Sequence, residues 1–161
     1  MASTIELKYG TNNQAVTATW ASLASGSARA STAIDNTSNL FDEIFFQPTC
    51  KSGASGVSAT GYASFYVSGT VDGGTTYGEG ATGTDAAITL TTPPNVKLIG
   101  TLNMVANATT YDGNPMACSP GLGGSLTDHI VIICLNKSGA AFDSTEGNHN
   151  KRYQGKQAQS V

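Results

Sequence analysis

Between Tyr62 and Val71 the chain reads YASFYVSGTV, and the character of the residues changes at every second position. Ala63, Phe65 and Val67 fall on one side; Tyr62, Ser64, Tyr66 and Ser68 fall on the other. A period of two is that of a β-strand, whose side chains point alternately to opposite faces. The pattern recurs along the chain. In TIELKY, Ile5, Leu7 and Tyr9 alternate with Thr4, Glu6 and Lys8, which predicts a strand with one buried face. AVTATW (Ala15–Trp20) follows the turn-like GTNNQ. FDEIFFQPTCK (Phe41–Lys51) has a period near two around Ile44 and Phe46, and Pro48 points to an edge or bulged strand. AAITLT and VKLIGTLNM are two further strands. DHIVIICLN is apolar on both faces from Ile130 to Leu135 and belongs in the middle of a sheet.

Turn signals separate these runs. Asp72–Gly74 (DGG) forms a tight turn, and NKSGAAF reads as a hairpin turn into an edge strand. The Ala-rich ASLASGSARASTAID has no apolar stripe at i, i+3, i+4, so it holds one short helical turn at most and then runs extended through Ile34. Eight or more short strands without intervening helices predict an all-β fold: a single antiparallel β-sandwich domain, jelly-roll-like. Residues 1–12 form an N-terminal arm or the first strand, 13–145 the sandwich, and 146–161 a C-terminal strand or arm.

Composition narrows the function classes. Charged residues make up 12% of the chain and the formal net charge is −3. Gripping phosphates needs clustered Lys and Arg, yet the eight basic residues are scattered apart from Lys151-Arg152, so no nucleic-acid partner is expected. Weak charge also means weak repulsion between copies, which favours assembly. MASTIELKYG has neither the basic nor the apolar region of a signal peptide, and no apolar run reaches the length of a membrane span. Cys50, Cys118 and Cys134 are odd in number and widely spaced, which suits reduced, partly buried thiols in a protein made in a cytosol. On that route the sequons at Asn36 and Asn107 carry no meaning.

The motifs that suggest chemistry fail on context. Gly78, Gly80 and Gly83 have the G-x-G-x-x-G spacing of a dinucleotide-binding turn, but TDAAITLTTPP follows where a helix should open. The glycines therefore serve to turn the chain. SGASG and PGLGGS do not match a nucleophile elbow. His129, at the start of an apolar strand, reads as a satisfied structural histidine, and His149, in GNHNKR, as a solvated one. DSTEGNH (Asp143–His149) offers two carboxylates and an imidazole but not the order of a calcium loop, so it reads as a solvated turn. Asp42 and Glu43 point to opposite faces of a strand and look like gatekeepers at its mouth. No cofactor, metal or catalytic group is expected, and no enzyme. Tyr62, Tyr66 and Tyr77 could stack on sugar rings, although alternate tyrosines beside serines are more typical of a sheet surface packed on a neighbour.

The order of ASLASGSARASTAIDN, YVSGTVDGGTTY, NVKLIGTLNMVANATTY, GLGGSLTDHIVIICLNKSGAAFDS and KRYQG resembles small structural proteins of tailed bacteriophages, over residues 20–155. The resemblance implies a β-sandwich virion component without cofactor or catalysis. Its most concrete form is a capsid cement (decoration) protein on the capsid exterior, made in the host cytoplasm. Such a protein binds the major capsid protein, bridges neighbouring subunits and forms a homo-oligomer, which the resemblance makes a homotrimer. The alternative is a tail, baseplate or fibre-associated protein, structural or receptor- and carbohydrate-binding. The assembly interface is expected at Ile5, Leu7, Tyr9, Tyr62 and Tyr66. MASTIELKYGTNN suits either strand addition to a neighbour, with Ile5 and Leu7 setting the register, or the first strand of the protein's own sheet.

Overall fold

Alternation in the sequence becomes burial in the structure, a computed structural model that describes residues 4–160. Twelve strands follow one another: β1 (Ile5–Tyr9), β2 (Gln14–Ala15), β3 (Ala28–Ala30), β4 (Ile34–Asp35), β5 (Glu43–Lys51), β6 (Tyr62–Thr70), β7 (Ala86–Ile88), β8 (Lys97–Asn103), β9 (Thr110–Asp112), β10 (Met116–Ala117), β11 (His129–Lys137) and β12 (Asn150–Ser160). They form two antiparallel sheets packed face to face. One has the order β1-β12-β5-β10, with β2 also on β12 and β9 also on β5. The other has the order β7-β3-β11-β6-β8, with β4 also on β11. The protein is an all-β sandwich.

The inward faces meet in a single apolar core. Ile44, Phe46 and Cys50 come from β5, Ala63, Phe65 and Val67 from β6, and Ile130, Ile132 and Cys134 from β11. Trp20, Phe46 and Phe65 stack at its centre, with Trp20 and Phe46 each 5.6 Å from the Phe65 ring centroid. Trp20 arrives on an extended segment in which Val16, Ala18 and Trp20 are buried in alternation. Only Gln14–Ala15 of the AVTATW region pairs as a strand. As its two apolar faces require, β11 is central: β6 flanks it on one side, and β3 and β4 on the other.

Its second face is buried too. The connection between β6 and β8 folds over the outside of that sheet, and Tyr77, Ala81 and Val96 pack on Ala28, Ala30, Val131 and Ile133. The glycines of the G-x-G-x-x-G spacing lie in this connection. Gly78–Gly80 form a single 3-10 turn, and Gly80 and Gly83 take positive φ angles of 70° and 72° that disfavour other residues. The loop-glycine expectation is met, since no helix follows them.

Two strand expectations need correction. β5 is interior, between β12 and the β9/β10 pair, rather than an edge. Pro48 is tolerated there because its backbone faces a break in that pair: β9 ends at Asp112 opposite Thr49, and β10 starts at Met116 opposite Phe46. The Pro48 carbonyl accepts the Gly113 N–H (2.8 Å) inside the break, so the missing Pro48 N–H leaves no ladder bond unmade. The segment after the Ser138–Gly139 turn forms no edge strand either. Phe142 makes one isolated bridge with Ser52, and the Asn136 side chain holds the turn through the carbonyls of Leu23 (2.7 Å) and Ala140 (2.8 Å).

The two terminal segments belong to one sheet. β12 carries β1, β2 and β5, and Phe41 lies so close over Gly155 that a Cβ there would sit 2.3 Å from its ring. β5 leaves β12 at the Glu43–Lys156 pair, whereas β1 follows β12 out to the Ile5–Ser160 pair. Beyond Lys156 the sheet narrows to a two-stranded ribbon. The expected buried face of β1 is therefore wrong: Ile5, Leu7 and Tyr9 are 74%, 69% and 64% exposed. The ribbon runs past the sandwich, where neither face has a sheet to cover it.

Candidate assembly surface

The five residues expected at an interface occupy two separate places. Ile5, Leu7 and Tyr9 share one face of the ribbon, opposite Ser160, Ala158 and Lys156. Tyr9 leans towards Phe45 (ring centroids 6.4 Å apart), so this is the outward face of its sheet. Tyr62 and Tyr66 lie on the outward face of the other sheet. The sandwich separates the two sets, and they form no common surface.

Tyr62 and Tyr66 line a groove of about 530 Å³ between β6, the end of β11 and the residues after β7. Leu90, Pro94, Leu135 and Lys137 are among the residues of its walls. Tyr66 is half-buried against the protein's own connection, so the neighbour covering it lies in the same chain, while Tyr62 stays exposed. Lys137 and Leu135 were not expected here. Their register opposite Tyr62 and Ser64 follows only from the pairing of β11 with β6.

The polar clusters that could suggest chemistry are turned inward and engaged. His149 is buried, contrary to its expected solvation. Its Nδ1 accepts the Lys51 N–H (3.3 Å), and its Nε2 is 3.0 Å from the Asp143 carbonyl oxygen. Burial holds this imidazole below its ordinary pKa. DSTEGNH is only partly the solvated turn expected: Ser144, Thr145 and Gly147 are exposed, but its charged side chains are engaged. Glu146 accepts the N–H groups of Trp20 (2.7 Å) and Ala21 (2.6 Å) and pairs with Lys151. Burial raises its pKa, but Lys151 and these two N–H donors outweigh it and keep the carboxyl below its usual range. The Asn148 amide and the Thr145 N–H, with Lys51 beside them, hold Asp143 at about 2. The loop acts as a brace that ties the Trp20 segment to β12.

His129 reverses its expectation as well. Its Nδ1 is buried without a hydrogen-bond partner, and its Nε2 is 3.9 Å from the Asp35 carboxylate. Glu43 is no gatekeeper. Its buried carboxylate accepts the N–H groups of Ile44, Cys118 and Ser119 (each 2.9 Å) and the Ser119 hydroxyl (2.5 Å). Asp42 accepts the Ala158 N–H (2.9 Å) at the root of the ribbon. These backbone donors leave no signature in residue type, so the sequence could not show them.

The three cysteines are free and fully buried, deeper than expected. Burial pushes the Cys118 thiol up to about 12, and raises Cys50 and Cys134 well above the ordinary thiol range. Among the described residues no three His, Cys, Asp or Glu side chains come together as a metal site. No described helix is long and apolar enough to cross a membrane. Leu40, Val71, Leu98 and Val105 are also exposed, but Ile5, Leu7 and Tyr9 line up on one face of the ribbon. The chain matches no protein-family model, no curated protein and no solved structure.

Proposed function

We propose that this protein is a structural virion component of a tailed bacteriophage, acting as a capsid cement protein that binds the major capsid protein and bridges neighbouring shell subunits. The observation that carries the proposal is the terminal ribbon, which holds Ile5, Leu7 and Tyr9 in solvent on a rigid sandwich. Exposed apolar residues gathered on one face are a cost to a free protein and a gain to an assembled one. A protein that binds only the assembled shell stabilises it by mass action, and many identical copies make a modest affinity per contact sufficient. The likeness of its motif order to small tailed-phage structural proteins supports the same role. Quantitative mass spectrometry of purified particles tests it. Copies in stoichiometric proportion to the major capsid protein support cement, and absence from heads with presence in isolated tails rejects it.

The groove at Tyr62 and Tyr66 favours a second reading, a receptor- or carbohydrate-binding tail module. Two tyrosines beside Lys137 provide stacking faces and a hydrogen-bond donor for a sugar. Saturable glycan binding that Tyr62→Ala abolishes, together with a few copies per particle, supports this reading over cement.

A further inference from the structure

β1 stands at the edge of its sheet, with β12 on one side and no strand on the other among the described residues. The ladder shows which backbone groups face the open side. The Gly10 N–H donates to the Gly155 carbonyl (2.8 Å). Ala158, opposite Leu7, sends its N–H away from β1 to Asp42. Antiparallel pairs alternate between hydrogen-bonded and non-hydrogen-bonded, so Glu6 and Lys8 bond towards β12. Ile5, Leu7 and Tyr9 present their N–H and C=O groups to the open edge.

We propose that this edge pairs with the same edge of a second copy, antiparallel, about a two-fold axis at Leu7. Leu7 then exchanges both backbone bonds with Leu7 of the second copy, and Ile5 lies opposite Tyr9. Glu6 falls opposite Lys8 of the second copy in the non-hydrogen-bonded positions, where side chains come closest. IELKY is thus complementary to itself in charge when read in opposite directions. A slide by two residues brings Glu6 against Glu6 or Lys8 against Lys8. A slide by one places charged residues opposite apolar ones and mismatches the faces. One register satisfies all five positions.

The same charges discriminate against other occupants. A lysine on an edge strand discourages indiscriminate pairing, because a foreign strand must supply an acidic residue at the matching position. Here the chain carries that residue itself. Pairing also places Ile5, Leu7 and Tyr9 of both copies on one face of a continuous sheet, doubling the apolar surface. The result is a dimer with an isologous interface, in place of the trimer implied by the phage resemblance. It does not rest on the virion reading, and its test needs no particle.

Sedimentation equilibrium of the full-length protein is expected to show a monomer–dimer equilibrium. Leu7→Pro removes the open-edge N–H while keeping the bonds to β12, and is expected to yield monomer. Glu6→Lys and Lys8→Glu each set like charges opposite one another, and each is expected to weaken the dimer by roughly tenfold. Mixing these two variants, or combining both changes in one chain, is expected to restore it. Circular dichroism and thermal melting confirm that each variant is folded, and the charge-swapped mixture still decides the matter if Leu7→Pro is not. A monomer at every concentration up to the solubility limit, a trimer, or a dimer indifferent to the charge reversals overturns the proposal.

Discussion

The ammonium of Lys151 lies over the indole of Trp20, 4.9 Å from the ring centroid, and pairs with Glu146. Lys151 is only 8% exposed, so its charge depends on that ring, on Glu146 and on the His149 carbonyl (3.1 Å). Removing Glu146 strands the cation and two backbone donors. Glu146→Ala is expected to lower stability by about 2–3 kcal/mol, discounted for the partial exposure of the carboxylate. Lys151→Met keeps the packed stem and loses only the charge, so it should cost about 1 kcal/mol. Urea unfolding followed by the fluorescence of Trp20, the one tryptophan in the chain, measures both. A negligible cost for Lys151→Met would show that Lys151 works through packing alone.

Glu43 supports a larger expectation. Its carboxylate serves four donors from Ile44, Cys118 and Ser119 in the interior. Glu43→Ala leaves buried N–H groups without acceptors and is expected to cost about 3 kcal/mol or more, with Glu43→Gln milder at about 1 kcal/mol. A change below about 0.5 kcal/mol for Glu43→Ala would remove the carboxylate from any structural role.

His149 predicts a pH dependence with a definite sign. Burial depresses its folded-state pKa below the unfolded value of 6.5, so the unfolded chain binds the proton more readily. Its stability contribution is complete above that value and declines as the pH falls through the folded pKa. Asp143 and Glu146, with lowered values, lose theirs at more acid pH. His149→Gln keeps an acceptor and a donor at the site and is expected to flatten stability between about pH 7 and pH 5. Chemical denaturation across that range checks it. A slope unchanged from wild type would reject the assignment.

Cys50, Cys118 and Cys134 should not react with a thiol-specific disulfide reagent while the protein is folded, because buried thiols above their ordinary pKa hold almost no thiolate. After denaturation all three should react. A thiol titrating rapidly in the native protein would place it at the surface.

Deleting residues 1–9 takes away the ribbon and spares the core aromatics Trp20, Phe46 and Phe65. The truncated protein is expected to remain all-β and to lose only about 1–2 kcal/mol, since β1 buries little. Thermal melting decides between this and collapse of the sandwich.

Much of the architecture could be read in the chain because burial follows period two: β6, β11 and the core side of β5 show their inner faces in Ala63–Phe65–Val67 and Ile44–Phe46. Pairing was hidden. No ladder among the described residues joins strands consecutive in sequence, so the register of Tyr62 with Lys137 has no local cause. The polar interior was hidden for another reason. Glu43, Glu146 and His149 are fixed largely by backbone donors and acceptors, and those occur at almost every residue. Alternation alone misled at β1, where Ile5, Leu7 and Tyr9 carry the pattern of a core strand beyond the reach of the second sheet.

The ladders fix an order of events during synthesis. β12 holds β1, β2 and β5 in one sheet, yet it is the last of the twelve described strands to leave the ribosome. Until it emerges, β1 and β2 lack the strand they pair with, and β5 keeps one long edge open. A chain grows at about 5–20 residues per second, so the earliest strands wait roughly 7–30 seconds for their partner. Chains released early lack this strand, and only a chain that extends through β12 can close the sheet.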